Sequence, residues 1–291
     1  MSRNMHRYEE LTPYEFDQEK TRASIIYVGA GPLEYHEECN ILGLDTNKGY
    51  DWCLAAAEIT GGIVFPMLPV APGGPRPYMS REDMRRAYRL PQSRDHYEES
   101  FGSLYPGVFF SREVCRDLYR ELLEIFADEL KFKLCVFVGS HGPAGNMLKD
   151  IVNEEASASY TNSEAGYSNA IGEFHGMRVM AIGSMDYNRD LIEEFNKENG
   201  IVKAFHGGLW ETALNYAIKP EYFQPHLLDE TQYPQHFGAL REEYSDDPHR
   251  PSKAEFRKFS PEFAMQLRQA TVDRLAADVK KNYADIIANG K

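Results

Sequence analysis

The sequence predicts an α/β protein in which helices cover both faces of a largely parallel sheet, giving three layers. Three observations support this. Apolar runs of strand length alternate with longer segments of helical period. The runs FKLCVFVG and GMRVMAIG are continuously apolar rather than alternating, as expected of strands buried on both faces. The order of strand and helix is that of βαβ units, whose crossover helices pack back on the sheet.

Taken in order, residues 24–28 form the first strand, 50–60 a helix, 63–70 a second strand, 113–130 a helix and 134–138 a third strand. The segment 72–105 is rich in Pro, Gly and charge, with one short helix expected near 81–88; a connection this long is usually functional, and it is a candidate lid. From Lys219 the composition turns to Pro, aromatic and acidic residues, before a helical pattern over 261–288. That stretch is expected to be an arm packed on its own subunit, the alternative being exchange between subunits. No internal repeat or low-complexity tract is present.

The bulk properties exclude several function classes. At 291 residues, 42% apolar and 12% aromatic, the chain can bury a sizeable core and is unlike a disordered protein. Its 45 acidic and 32 basic residues give a formal charge of −13, which repels nucleic-acid phosphates and anionic membranes alike. The opening MSRNMHRYEELTPYEF carries no charged stretch followed by an apolar one, and no run is long enough to span a bilayer, so a cytoplasmic protein is expected. Cys39, Cys53, Cys115 and Cys135 form no C-x-x-C pair and are expected as reduced, inert thiols.

Three clusters could carry chemistry. The first, VGAGPLEYHEECNILGLDT, follows the first strand. Its glycines suggest a dinucleotide loop, but Glu34 stands where the third glycine would be and a proline interrupts the turn. What remains is Glu34, His36 and Asp45 at the carboxyl end of a parallel strand, where open α/β sheets bind ligands. Two carboxylates and an imidazole can hold a divalent metal, though a surface E-x-H followed by an Asp45 that caps a helix would look the same. In the second cluster, LCVFVGSHGPAGN, glycines flank His141 and let the chain turn sharply after a buried strand; Asn146 is expected to hold the loop or begin a helix. The third, VKAFHGGLWETALNYAIKPE, places His206 and Glu211 around two glycines, with Glu211 early in a helix, where the dipole favours a carboxylate.

Together these clusters resemble the creatininase family of metal-dependent amidohydrolases. EYHEECNILGLD keeps the Glu34, His36 and Asp45 spacing of the family's E-x-H-G-x-H-x-P-x-x-T-D; GSHGPAGN is similar to N-G-H-G-G-N with two extra residues; HGGLWETA is similar to H-A-G-x-x-E-T-S. YPGVFF, with Tyr105, Pro106 and Gly107, echoes a further F-P-G-T segment. The resemblance covers roughly 20–222, implying a creatininase-like metallohydrolase domain over 1–222 and leaving 223–291 as an arm and helix outside it.

The resemblance implies two divalent ions, zinc or manganese with iron open, activating a water. Glu34, Asp45 and His141 would hold one ion and His36, Asp45 and Glu211 the other, with Asp45 as bridge. Glu211 serves because Pro143 stands where some members carry the second carboxylate. His206 would move the proton to the leaving group. The family's glycine is replaced by Glu37 and its second histidine and proline are not kept, so Tyr35, Glu37, Asn40 and Trp210 are expected to form a polar substrate pocket unlike one for creatinine. The resemblance implies hydrolysis of a small, cyclic amide first. Its alternatives are ring-opening carbon–carbon hydrolysis of a keto-inositol such as 3-dehydro-scyllo-inosose, and an inactive metal-binding module. It also implies a homo-oligomer, with a hexamer expected.

Overall fold

The computed structural model describes residues 5–34, 36, 39–73, 107–156, 159–162, 168–201, 207–224 and 257–290. Helix α1 (Pro13–Arg22) starts with a capping box in which Thr12 and Glu15 satisfy each other's backbone N–H, with a proline in the first turn. It leads into strand β1 (Ile25–Ala30), buried along its whole length. Helix α2 (Leu44–Thr60) begins earlier than its apolar period suggests and ends at Gly61, whose φ of +80° stops the helix. Strand β2 (Ile63–Val64) is only two residues long, not the eight expected over 63–70, because Pro66 and Pro69 have no N–H to give a ladder.

Helix α3 (Arg112–Glu124), capped by Ser111, runs into a π-helical turn over Ile125–Glu129. Strand β3 (Leu134–Gly139) and helix α4 (Gly142–Glu155) follow, then β4 (Ser159–Asn162), β5 (Ser168–Phe174) and β6 (Met177–Gly183). His175 and Gly176, both at positive φ, turn β5 into β6, the two-residue geometry that suits the twist of a hairpin. Helices α5 (Arg189–Asn199), α6 (Leu209–Ile218) and α7 (Pro261–Ala288) complete the described chain. No helix among the described residues is long and apolar enough to cross a membrane.

The six strands lie in the order β2-β1-β3-β6-β5-β4. The first four are parallel and the last two antiparallel, so the sheet is largely parallel with a hairpin edge. Alternation along the strands feeds two cores. Ile25 and Tyr27 of β1 and Leu134, Val136 and Val138 of β3 join the layer of α2, α5, α6 and α7; Ile26, Val28, Cys135 and Phe137 join that of α3 and α4. This is a three-layer α/β/α arrangement, and all four cysteines are buried and unbridged within it. Helix α7 packs on α2 and α6, held further by a bidentate Arg268 to Asp51 pair at 2.7 and 2.8 Å. Ala30, Gly139 and Gly183 are in register, so β1, β3 and β6 end flush and present one carboxyl edge.

Candidate metal centre

The residues expected to hold metal come from loops and helix starts just past that edge. After β1 the chain turns back, with the Glu34 N–H donating to the Leu42 carbonyl at 2.8 Å, and then enters α2. Asp45 lies in the first turn of α2 but does not cap it: Gly43, which has no side chain to accept from the first turn, holds the cap position. The capping alternative for Asp45 is therefore excluded. Its carboxylate is instead 1% exposed.

The glycines that resembled a phosphate loop serve close packing. A Cβ on Gly31 would lie 2.8 Å from the Asp45 carbonyl carbon, and one on Gly49 would lie 2.7 Å from Ser140 Oγ. Ser140 can thus donate to the carbonyls of both Ala30, at 2.9 Å, and Asp45, at 2.6 Å, tying the ends of β1 and β3 to α2. Thr46 Oγ1 adds bonds to the carbonyls of Gly31 and Pro32. His141, next to Ser140, is the N-terminal flank of α4 in extended conformation. Glu211 is in the first turn of α6, its Oε2 accepting from the Gly207 N–H at 2.6 Å. Asn146 is exposed in the second turn of α4.

Glu34, His36 and Asp45 can each bring one ligand atom within 4.8 Å of the others, and all three are buried. His141 Nδ1 lies 3.2 Å from Glu34 Oε2 and 3.1 Å from Asp45 Oδ2; His36 Nε2 lies 3.3 Å from that same Asp45 oxygen. Glu211 Oε1 is farther, at 3.7 Å from His36 Nε2. Two nitrogens and two carboxylates from the ends of two strands thus face one point, with Glu211 to one side.

Lys48, which the sequence analysis did not single out, sits beside them. Its side chain is fully buried, with Nζ 2.9 Å from Asp45 Oδ1, 3.2 Å from Glu211 Oε1 and 5.0 Å from the centre of the Trp210 ring. The sequence did carry a signal: Lys48 comes three residues after Asp45 and four before Trp52, so a helix places all three on one face.

The cluster meets the test for a bound cation. His36 Nδ1 lies 3.0 Å from the Glu34 backbone carbonyl, which can only accept, so Nδ1 carries a proton and Nε2 is the nitrogen turned toward Asp45 Oδ2. Neither Asp45 oxygen accepts an aligned hydrogen bond despite being buried. Imidazole nitrogen and carboxylate oxygen a little over 3 Å apart attract through a cation between them, a proton or a metal ion, and this nitrogen and oxygen set is one that zinc, manganese or iron accepts.

The electrostatics agree. Burial works to raise the Asp45 pKa, yet Lys48, His36 and His141 hold it well below the ordinary 3.8. Burial likewise opposes charge on His36 and Lys48, but Asp45 and Glu211 outweigh it and raise both pKa values.

Of the expected pocket residues, Trp210 is buried against the Lys48 ammonium and the core rather than open, and Asn40 donates to Thr212 Oγ1 at 2.9 Å and to the His36 carbonyl at 2.6 Å, fastening the His36 loop to α6. Phe109, in the YPGVFF segment, is buried beside the His141 ring. Tyr35, Glu37 and His206 lie outside the described residues, as does the segment 72–105 apart from Pro72 and Gly73.

No protein-family model and no curated protein matches the chain. Solved structures do. One named creatinine amidohydrolase (creatininase) is 16% identical with a TM-score of 0.66, covering 96% of this chain and 98% of that one. Another, named Creatininase Mn, is 16% identical with a TM-score of 0.65 over 96% and 98% of the two chains. A mutant creatininase of Zn-Zn type is 16% identical with a TM-score of 0.65 over 97% and 99%. The chain therefore has the creatininase fold over nearly its whole length.

Proposed function

We propose that this protein is a metal-dependent hydrolase that cleaves an amide bond in a small molecule, a cyclic amide first among the candidates. The observation that carries the reading is the convergence of Glu34, His36, Asp45 and His141 in a buried cluster at the carboxyl edge of the sheet. A divalent ion held there would supply Lewis acidity and a water of lowered pKa. The fold neighbours with manganese and with zinc in their names make these two the first metals to try.

The chain's own groups have separable roles. Glu34 and Asp45 provide fixed negative charge, and the backbone carbonyl of Glu34 orients the His36 ring. Lys48 keeps Asp45 ionised in a site where burial alone would favour the neutral form, and it also pairs with Glu211. His206 is assigned the transfer of a proton to the departing nitrogen, an imidazole being able to accept and release it near neutral pH. Tyr35 and Glu37 are assigned to the substrate. Because Glu37, Cys39 and Ile41 stand where the related motif has glycine, histidine and proline, creatinine itself is not the proposed substrate.

The test is a screen of lactams, formamides and keto-inositols with protein loaded with manganese or zinc, scored by mass. A product heavier than its substrate by one water, formed with metal and not after chelation, supports the reading. Product only from a keto-inositol transfers the reading to carbon–carbon hydrolysis. Metal binding without any product favours an inactive metal-binding module.

A further inference from the structure

We infer that the site holds one divalent ion, not two, with the Lys48 ammonium fixed in the place of a second cation. The inference rests on the metal-dependent reading above and sharpens it. The geometry divides Asp45 between two partners. Its Oδ2 faces His141 at 3.1 Å and His36 at 3.3 Å, while its Oδ1 faces Lys48 at 2.9 Å. Asp45 is thus a bridging carboxylate, but one of the two cations it bridges is an amine carried by the chain.

The ligands left for a second ion are already engaged. Glu211 Oε1 accepts from Lys48 at 3.2 Å, and Glu211 Oε2 accepts from the Gly207 backbone at 2.6 Å. His36 has one ring nitrogen to offer, since Nδ1 is held by the Glu34 carbonyl, and Nε2 lies closer to Asp45 than to Glu211. An ion set between Asp45 and Glu211 would have to displace the ammonium or sit against it with like charge. Displacement has nowhere convenient to go: the whole Lys48 side chain is buried, and its Nζ is over the Trp210 ring.

Charge leads to the same stoichiometry. The described residues of the cluster include three buried carboxylates, Glu34, Asp45 and Glu211. One divalent ion together with the Lys48 ammonium neutralises them, whereas two divalent ions with the ammonium would leave an excess of two positive charges among these buried residues. Buried sites do not tolerate unbalanced charge of that size.

The experiment is to strip full-length protein with chelator, reload it with excess manganese alone, desalt it, and measure manganese per chain by plasma mass spectrometry and by electron paramagnetic resonance. One ion per chain with the hyperfine pattern of isolated manganese is expected. Two ions with the signature of an exchange-coupled pair overturn the inference while leaving the metal-dependent reading intact; no bound ion overturns both. Lys48→Met should raise the ratio from one to two and Lys48→Arg should leave it at one. A folded Lys48→Met protein that stays at one ion overturns the role given to Lys48. Should Lys48→Met not fold, the wild-type ratio and spectrum decide alone.

Discussion

Asp45 uses its two oxygens for different purposes, and each can be removed separately. Asp45→Asn keeps the volume but removes the charge that faces His36, His141 and Lys48, so metal content should fall below a tenth of wild type, as measured after dialysis against limiting manganese. Unchanged metal content in a folded variant would remove Asp45 from the site. A second residue-scale prediction concerns a cluster far from the metal. Burial works to raise the Glu19 pKa, but bonds from His6 and Arg22 and from the Gly62 N–H lower it from 4.5 to about 2. The hydrogen bond with Glu19 raises that of His6 above 6.5. Glu19 therefore contributes stability present above pH 4.5 and lost as pH falls toward 2. His6 contributes stability present below pH 6.5 and lost as pH rises through its folded value. At about 1.4 kcal/mol per pKa unit the Glu19 share is on the order of 2 to 3 kcal/mol after allowance for partial solvent screening. Urea titrations of wild type and Glu19→Gln should converge near pH 2 and separate above pH 4.5; a constant gap would contradict this. That Glu34, His36, Asp45 and His141 come together was legible in the sequence because each follows the carboxyl end of a parallel strand. Lys48 could not be found by matching motifs, since a lysine binds no divalent ion at neutral pH and belongs to no metal signature.

At the scale of elements, the site depends on how closely α2 and α4 approach the sheet. A Cβ on Gly139 would lie 2.3 Å from the Gly145 Cα, a backbone atom that cannot move aside. Gly139→Ala should force α4 from β3, costing about 1 to 3 kcal/mol in chemical denaturation and weakening metal binding through His141 at the start of α4. Loss of stability with metal affinity unchanged would show that His141 is held by something other than that approach. Helix α7 acts on the other face: Leu275 is fully buried in the core it shares with α2 and α6, and Leu275→Ala should cost about 2 to 5 kcal/mol. The boundaries of α7 could be read from its sequence because Ser260 and Pro261 mark its start and its apolar period is long. The hairpin β5–β6 could not, because strand direction and pairing are set by tertiary contacts that leave little trace in local pattern, whereas the shortness of β2 was marked by Pro66 and Pro69.

For the whole molecule, the parallel strands β1, β3 and β6 end in one line, and this is what brings residues 34, 45 and 141 together from separate stretches of chain. The order of three clusters was therefore more informative than any single motif, and the fold itself is shared with solved creatininase structures at 16% identity. Three buried carboxylates repel one another in the metal-free protein, so bound metal should stabilise the fold. At one hundred times the dissociation constant the gain is about 2.7 kcal/mol, on the order of 5 °C in melting temperature for a chain of this size. Calorimetry with and without chelator would read it. The most direct measurement is anomalous diffraction from crystals of the manganese-loaded protein. One peak within coordination distance of Glu34, His36, Asp45 and His141, with Lys48 still between Asp45 and Glu211, is the expected result. A peak elsewhere, or none at that cluster, would contradict the account.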